Sequence, residues 1–233
     1  MPQSLELPQR RWSPATHAAL LDLLEGPAAG CALDWDETCM TGDISLAMTL
    51  DRPDGEAIAR TYDERERVDL RGAWRWLTGT LLEGRTPEAI ADEARATLAR
   101  HQALSVVPEM RDLTHALVAR GWEVWVVTGS PQAVVAAIAP QLGLPPERVL
   151  GMDCTLAASG QYTNEVREPI TEGPGKLELL RQHTSTPLGL AAGDRPSDAW
   201  LLREASTALV IDRGDPVLKT EAERRGWLVQ EAW

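Results

Sequence analysis

The sequence predicts an α/β fold, a three-layer doubly wound parallel sheet with a helical cap inserted after the first strand. Short apolar runs alternate with helical segments on both sides of residues 43–108, and three of those runs end in polar residues. Such alternation implies parallel strands with helices on both faces. Residues 43–108 differ from the rest because they are rich in Ala, Arg and Glu and have helical spacing.

The first helix is predicted to begin at Ser13-Pro14, where a capping hydroxyl precedes a proline at the first helical position. Gly26-Pro27 would end it, and its apolar side would hold Ala18, Leu20, Leu21 and Leu24. A buried strand over residues 28–33 follows. We therefore expect an N-terminal helical segment at residues 1–27 and a core made of residues 28–42 and 109–233.

The cap is predicted to occupy residues 43–108. Two or three helices are indicated by apolar spacing at Ile58, Tyr62, Val68, Trp74, Leu77, Leu81 and Leu82. Thr86-Pro87-Glu88 would begin a further helix through Ile90, Ala94 and Leu98, because it joins a capping hydroxyl to a proline.

Strands and helices then alternate again. We expect helices at residues 109–120, from Pro131 through Ile138, at 176–183 and at 198–204. Strands are expected at residues 122–127, 149–155, 159–162, 188–192 and 207–211, the last being the final strand of the core. Ligands in such folds bind beyond the carboxyl ends of the strands.

Composition excludes several classes of function. The net charge of −12 argues against nucleic-acid binding, which needs a basic surface. No apolar stretch reaches the ~20 residues that span a bilayer, and the first residues lack the pattern of a signal peptide. Cys31, Cys39 and Cys154 fit no zinc spacing and suit reduced thiols. We expect a cytoplasmic protein without a membrane partner.

Two aspartates, Asp34 and Asp36, follow the first strand with one residue between them. Side chains two residues apart on a strand point the same way, so both carboxylates would face one crevice. Two carboxylates that close repel each other unless a cation joins them or one holds a proton. The pair therefore indicates chemistry, with a nucleophile, a proton donor and a divalent cation as its parts.

Polar residues also end two later strands. Thr128-Gly129-Ser130 offers a hydroxyl and backbone N–H groups that could hold an oxyanion. Asp194 and Asp198 follow the strand at 188–192, and Lys176 follows a Gly-Pro-Gly loop between these two sites. Oxygen ligands of this kind suit Mg2+. Phosphoryl transfer needs these parts because its catalysis is mostly positioning and charge stabilisation.

With these residues the chain resembles the haloacid dehalogenase-like (HAD) hydrolase superfamily across about residues 28–212. Its four motifs match in order, at Asp34-x-Asp36-x-Thr38, Thr128-Gly129-Ser130, Lys176 and Gly193-Asp194-x-x-x-Asp198. The resemblance implies a Rossmann-like core, with Asp34 as nucleophile and Asp36 as general acid and base. It implies that Thr128 and Lys176 hold the phosphoryl group. Mg2+ would be held by Asp34, the backbone carbonyl of Asp36 and Asp194, with Asp198 supporting the site.

The length and helical character of the cap resemble the phosphoserine phosphatase-like branch. That resemblance implies that Asp43 contacts a substrate amino group and that a cap arginine binds a carboxylate, with Arg65, Arg67, Arg71 and Arg75 as candidates. Trp74 and Trp76 either pack the cap helices or face a quaternary ammonium, as in phosphocholine. Trp35, Glu37 and Ser197 depart from the family pattern, and this affects the inferred substrate more than the chemistry.

We therefore expect a Mg2+-dependent phosphatase acting on a small phosphorylated metabolite, through an aspartyl-phosphate intermediate. A phosphorylated amino acid or amino alcohol is the expected substrate, and a monomer or homodimer the expected assembly. Two alternatives stay open: transfer of the phosphoryl group to an acceptor other than water, and a non-catalytic phosphate-binding or partner-binding protein on the same scaffold.

Overall fold

Six parallel strands form the central sheet of a computed structural model that describes residues 6–233. Residues 1–5 of the predicted N-terminal segment lie outside the described residues. The strands in chain order are β1 (Gly30–Leu33), β2 (Met40–Thr41), β3 (Ser105–Val106), β4 (Glu123–Pro131), β5 (Val149–Met152), β6 (Cys154–Leu156), β7 (Tyr162–Val166), β8 (Leu188–Gly193), β9 (Thr207–Asp212) and β10 (Leu228–Glu231).

Ten α-helices are found within residues 6–233, together with three short 3₁₀ turns. The helices are α1 (Pro14–Glu25), α2 (Ile44–Leu50), α3 (Gly55–Glu66), α4 (Leu70–Leu82), α5 (Pro87–Arg100), α6 (Pro108–Ala119), α7 (Gln132–Ala136), α8 (Pro174–His183), α9 (Ala199–Glu204) and α10 (Pro216–Arg225). None of these helices is long and apolar enough to cross a membrane.

The strand order of the sheet is β10-β9-β8-β1-β4-β5, and all its pairings are parallel. The chain leaves β1 toward β4 and β5 and later returns to β8 on the other side of β1. This reversal is a topological switch point, where open α/β sheets leave a crevice at the carboxyl ends of their strands. Asp34, Thr128 and Asp194 all lie at this edge.

The two faces of the sheet bury separate apolar clusters. Leu33 and Val126 belong to the larger cluster, with apolar residues of α1, α6 and α7, whereas Ala32 and Val127 pack with residues of α8, α9 and α10. Side chains that alternate along a strand explain the separation. The predicted three-layer α/β fold, doubly wound around a parallel sheet, is confirmed.

Helices α2–α5 fill the chain between β2 and β3. These two short strands pair antiparallel, with Met40 opposite Val106, so the chain enters and leaves this helical region side by side. The predicted capping at Thr86 is confirmed, because its side chain accepts a hydrogen bond from the N–H of Ala89 at the start of α5. The boundaries of the cap at residues 43 and 108 stay a prediction.

Several details differ from the sequence-based expectation. The strand expected at residues 159–162 begins only at Tyr162, as β7, because residues 158–160 form the turn before it. Val68 lies between α3 and α4 and is 89% exposed, so it belongs to no helix face, and Ala18 of α1 is exposed. The strand at residues 207–211 is not the last, because β10 adds a sixth strand at the edge, where a short run of mixed polarity gives little signal. Leu21 of α1 is exposed, and Thr16 is buried instead, donating to the carbonyl of Val229. The helix expected from Pro131 begins at Gln132, because β4 continues through Pro131.

Glu123, the first residue of β4, joins two other segments, the one before β5 and the loop between α8 and β8. Its carboxylate accepts hydrogen bonds from Arg148 (3.0 Å), Thr184 (2.8 Å) and Thr186. Burial opposes its ionisation, but the hydrogen bonds from Thr186, Thr184 and Arg148 outweigh burial and lower the pKa of Glu123 to about 2.

We expect Glu123→Gln to lower the free energy of unfolding at pH 7 by about 1–3 kcal/mol, because hydrogen bonds to a charged group are lost. A carboxyl whose pKa is lowered in the folded state stabilises the protein fully at pH values above its ordinary pKa of 4.5. That stabilisation is lost as the pH falls toward the folded-state pKa of about 2. Urea unfolding at pH 7 and pH 3 should therefore show a smaller difference between wild type and variant at pH 3. The exposed Glu147, changed to Gln, is the control. An equal difference at both pH values would contradict the assignment.

Candidate active site

A cavity of about 790 Å³ opens at the carboxyl edge of the sheet. Its wall combines residues that follow β1, β4, β8 and β9 with residues of α2, α3 and α4 or just before them. All nine site residues named from the sequence line this cavity, namely Asp34, Asp36, Asp43, Thr128, Gly129, Ser130, Lys176, Asp194 and Asp198. The structure therefore brings together residues separated by as many as 164 positions in the sequence, the interval from 34 to 198.

Lys176 lies at the floor of the cavity between two carboxylates. Its Nζ is 2.5 Å from Oδ1 of Asp34 and 2.5 Å from Oδ1 of Asp198, and all three side chains are buried. Burial alone would lower the pKa of Lys176, but the charges of Asp198 and Asp34 outweigh it and raise that pKa. The ammonium therefore stays charged and holds the end of β1 against the loop after β8.

Three buried carboxylates, those of Asp34, Asp194 and Asp198, place oxygen atoms within 4.8 Å of one another. Burial, then the charges of Asp34 and Asp198, raise the pKa of Asp194 to about 9. Lys176 supplies one positive charge to this cluster, and Arg195 contacts Asp194 at 3.8 Å, but the raised pKa of Asp194 means that ionising all three carboxyls together is costly without a further cation. An all-oxygen donor set of this kind fits a hard divalent cation such as Mg2+.

Asp198 organises the loop around this cluster. Its Oδ2 accepts hydrogen bonds from the backbone N–H groups of Asp194 and Arg195, both at 3.0 Å, while its Oδ1 accepts from Lys176. Gly193 permits this close approach, since an added Cβ there would lie 2.5 Å from the Cβ of Asp198. With both its oxygens engaged by protein donors, Asp198 positions Lys176 and Asp194.

Gly175 permits a second close approach, on the loop that carries Lys176. An added Cβ at Gly175 would lie 1.7 Å from the carbonyl oxygen of Ile170, so a larger residue would push α8 away from the segment before it. The Gly-Pro-Gly sequence thus serves to bring the first turn of α8, and Lys176 with it, down to the floor of the cavity.

Asp36 faces different partners from Asp34. Its Oδ2 accepts a hydrogen bond from the hydroxyl of Ser130 (2.6 Å), and its Oδ1 accepts from the backbone N–H of Ile44 (3.1 Å). The hydroxyl of Ser45 donates in turn to Ser130 at 3.0 Å. Burial, then the charge of Asp43, raise the pKa of Asp36 well above its ordinary value. The two aspartates therefore have separate environments, and the first residue of α2 helps to orient the carboxylate of Asp36.

Thr128 is buried at the end of β4, where its Oγ1 accepts a hydrogen bond from the backbone N–H of Ser130 at 3.0 Å. It does not cap α7, because β4 continues to Pro131 before that helix begins. Its hydroxyl lines the cavity beside Gly129 and Ser130. This turn places a hydroxyl hydrogen and backbone N–H groups near the buried carboxylates.

Asp43 and Glu66 add negative charge to the wall formed by α2–α4. Asp43 caps α2 by accepting from the N–H of Leu46 (2.9 Å), and Glu66 accepts from the hydroxyl of Tyr62 (2.9 Å). Trp74 lines the cavity nearby and contacts Tyr62 edge to face, with ring centroids 5.4 Å apart. Trp76 instead lies under Arg65, whose guanidinium is 4.9 Å from the ring centroid.

The arginines at the cavity are not those expected. Arg71 and Arg75 form ion pairs with Glu168, and none of the four candidates, Arg65, Arg67, Arg71 and Arg75, is among the described residues that line the cavity. The expectation of a cap arginine in the site is therefore wrong. Helical spacing shows which residues share a face but not which way that face turns. Arg195 and Arg213 line the cavity instead.

Two features of the site escaped the sequence analysis. Arg213 follows β9 and pairs with Glu37 at 2.5 Å, and the rule that polar residues at strand ends meet would have found it. Trp233 donates from Nε1 to the carbonyl of Thr38 (3.2 Å), and the hydroxyl of Thr38 donates to Asp194 (3.2 Å). No local signal links Trp233 to Thr38, because only the fold brings them together.

Comparison with known proteins agrees with this arrangement. A family model described as haloacid dehalogenase-like hydrolase matches residues 31–203. Phosphoserine phosphatase SerB1 of Mycobacterium tuberculosis is 30% identical over 128 residues, which cover 52% of this chain and 40% of that protein. The chain spans half or less of the length of the curated relatives it matches, between 40% and 50%.

Solved structures share the fold at low sequence identity. A protein of unknown function from Bordetella pertussis has a TM-score of 0.76 and 20% identity, with 89% of this chain and 100% of that chain covered. A phosphoserine phosphatase with an analogue of its phospho-aspartyl intermediate has a TM-score of 0.65 and 17% identity, covering 89% and 95% of the two chains. At these identities the likeness establishes the fold.

We expect Lys176→Met to lower the free energy of unfolding by about 3–5 kcal/mol in buffer with a chelator, because it leaves two buried carboxylates without their counter-charge. Equilibrium denaturation measures the change. Lys219→Met removes an exposed lysine that pairs with Asp212 on the surface, and it should leave stability nearly unchanged. Equal effects of the two substitutions would contradict the buried pairing.

Proposed function

The chain belongs to the haloacid dehalogenase-like hydrolase family, and from this premise we propose that it is a Mg2+-dependent phosphatase. It would hydrolyse a small phosphomonoester through an aspartyl-phosphate formed on Asp34. One observation carries the proposal: Asp34 lies at the floor of an open cavity, held by Lys176 and clustered with two further buried carboxylates. These are the parts of a site for phosphoryl transfer.

The carboxylates of Asp34 and Asp194 and the backbone carbonyl of Asp36 would hold Mg2+, with Asp198 supporting the site through its contacts to Lys176 and the loop. The cation would supply positive charge that offsets the negative charge on the phosphoryl oxygens. The cluster of three buried carboxyls, whose joint ionisation needs a further cation, supports this role.

In the first step, a carboxylate oxygen of Asp34 attacks phosphorus, and the bond from phosphorus to the leaving alcohol breaks. Asp36 gives its proton to the leaving oxygen, as a general acid does. In the second step, Asp36 takes a proton from water as that water attacks the phosphorus. Inorganic phosphate leaves and the Asp34 carboxylate is restored. The bonds from Ser130 and Ile44 support this role, because they hold the Asp36 carboxyl in one orientation.

Thr128 and Lys176 would hold the phosphoryl oxygens during both steps. The backbone N–H of Gly129 lies in the same segment and would add a hydrogen-bond donor there, whereas that of Ser130 already donates to Oγ1 of Thr128. Hydrogen-bond donors that are already in position stabilise the charge that develops in the transition state. This is usually the largest contribution to such catalysis. The burial of Thr128 and Lys176 supports the assignment, because it fixes their side chains before substrate binds.

For the substrate, we propose a phosphomonoester that also carries a positively charged amine, such as a phosphorylated amino acid or amino alcohol. Asp43 and Glu66 support this, because both carboxylates line the same cavity as the proposed phosphoryl site. Of Trp74 and Trp76, Trp74 lines the cavity. Its ring could face a substituted ammonium such as that of phosphocholine.

We expect Asp34→Asn to reduce Mg2+-dependent hydrolysis of an aryl phosphate by at least about a thousandfold, because an amide is not a nucleophile. Release of inorganic phosphate measures the rate. Asp22→Asn, an exposed position on α1, is the matched control and should keep the wild-type rate. A chelator should abolish activity of the wild type, and added Mg2+ should restore it. Unchanged hydrolysis in Asp34→Asn would refute the mechanism.

We expect the wild type to prefer 2-aminoethyl phosphate over ethyl phosphate, which differs from it by the amine alone. Asp43→Asn should reduce that preference in kcat/KM about tenfold or more, since a bond between charged groups is lost. Asparagine also caps helices, so α2 should stay intact. Asp54→Asn, also before a helix of this region but outside the cavity, is the control. The absence of any preference in the wild type would contradict the amine substrate.

A further inference from the structure

Exposed apolar side chains line part of the cavity, beside the exposed Arg195 and Arg213 and above the buried charged groups of the floor. Trp200 on α9 lines the cavity and leaves 45% of its surface exposed, whereas its neighbours Leu201 and Leu202 are buried. Leu70 of α4 also lines the cavity and is 37% exposed. Three prolines, Pro174, Pro196 and Pro216, complete this surface and are themselves exposed. Large apolar side chains left exposed inside a cavity indicate a surface that a ligand covers.

Trp200 is held in place by a chain of contacts behind it. The guanidinium of Arg203 lies 5.8 Å from the ring centroid of Trp200. Arg203 makes two hydrogen bonds to Glu221, at 2.7 and 2.6 Å, and Glu221 also accepts from Arg225 at 2.7 Å. A side chain held in this way loses little freedom when a ligand binds, so its burial contributes more fully to affinity.

The same indole borders the loop that leads to Lys176. An added Cβ at Gly173 would lie 3.9 Å from Nε1 of Trp200, in ordinary contact. The apolar surface and the phosphoryl-binding lysine therefore adjoin one short loop. A ligand that spans this loop would contact both.

The cavity is also larger than the smallest phosphomonoesters require. Its volume of about 790 Å³ lies in the range of roughly 300–1,000 Å³ that accommodates drug-sized ligands. In an in-line displacement, the leaving oxygen lies on the side of phosphorus opposite the attacking Asp34. Because Asp34 is at the floor, the alcohol part of the substrate extends toward the mouth.

We propose that Trp200 and Leu70, with the three prolines, form a binding subsite for an apolar end on the alcohol part of the substrate. The substrate would then be an amphiphilic phosphomonoester, with its phosphate at the buried carboxylates and an aliphatic or aromatic group against Trp200. This inference rests on the proposed phosphatase function for the direction of the substrate. It assigns the mouth of the cavity a role in specificity that the chemistry at the floor does not require.

Binding of ethyl, butyl and hexyl phosphate tests the subsite without turnover. Titration calorimetry on Asp34→Asn with Mg2+ should show Kd falling about twofold to fourfold for each added methylene, the range expected when a CH₂ group is partly or fully buried. Trp200→Ala in the same background should make Kd nearly independent of chain length. Trp200→Leu, which keeps an apolar side chain, should retain part of the dependence. Trp76→Ala removes a tryptophan outside the cavity and should retain all of it.

The same series measured as kcat/KM on the wild type separates the two proposals. Binding that depends on chain length, with no phosphate release from any ester of the series, from 2-aminoethyl phosphate or from the aryl phosphate, would refute the phosphatase function and leave the subsite standing. Phosphate release with equal kcat/KM and equal Kd along the series would refute the subsite alone. The subsite would also be refuted if Trp200→Ala kept the wild-type dependence while its circular dichroism showed an intact fold.

Discussion

The ion pairs of Lys176 with Asp34 and Asp198 are the interaction on which the rest of this structure depends. They join three separate parts of the chain, the end of β1, the start of α8 and the loop after β8, at a buried point. Burial makes it costly to ionise Asp34, Asp194 and Asp198 together, as the raised pKa of Asp194 reflects. The proposed divalent cation would relieve that cost, so the same cluster would support both the folding of the site and its proposed chemistry.

This constraint explains the backbone around the site. Gly193 and Gly175 lie where any side chain would collide with Asp198 or with the carbonyl of Ile170, and without them neither loop could close on Lys176. It also explains why Asp36, only two residues from Asp34, has other partners. Asp34 is engaged by the buried lysine, whereas Asp36 is held by Ser130 and the first residue of α2. The region that contains α2–α5 thus contributes to the orientation of the proposed proton donor as well as to the wall of the cavity.

The sheet and most of the candidate site were predictable because their signals are local. Apolar runs that end in polar residues define strands and their carboxyl ends, and parallel strands present those ends at one edge. Seven of the residues named in this way line one cavity, together with Lys176, which follows a Gly-Pro-Gly loop, and Asp43, which the family resemblance implied. The same reasoning missed β10, a short edge strand of mixed polarity. It also favoured arginines of α3 and α4 that turn away, since helical spacing does not fix the rotation of a helix against the core.

The sequence by itself determined the fold class and which polar residues follow which strands, and it supplied the residues proposed for phosphoryl chemistry, because each depends on spacing along the chain. Tertiary structure alone decided which charges meet. It paired Lys176 with Asp34 and Asp198, brought Arg195 and Arg213 to the cavity, and placed Trp200 at its mouth. Contacts between distant residues depend on how helices and loops pack on the sheet, and no local pattern encodes that packing.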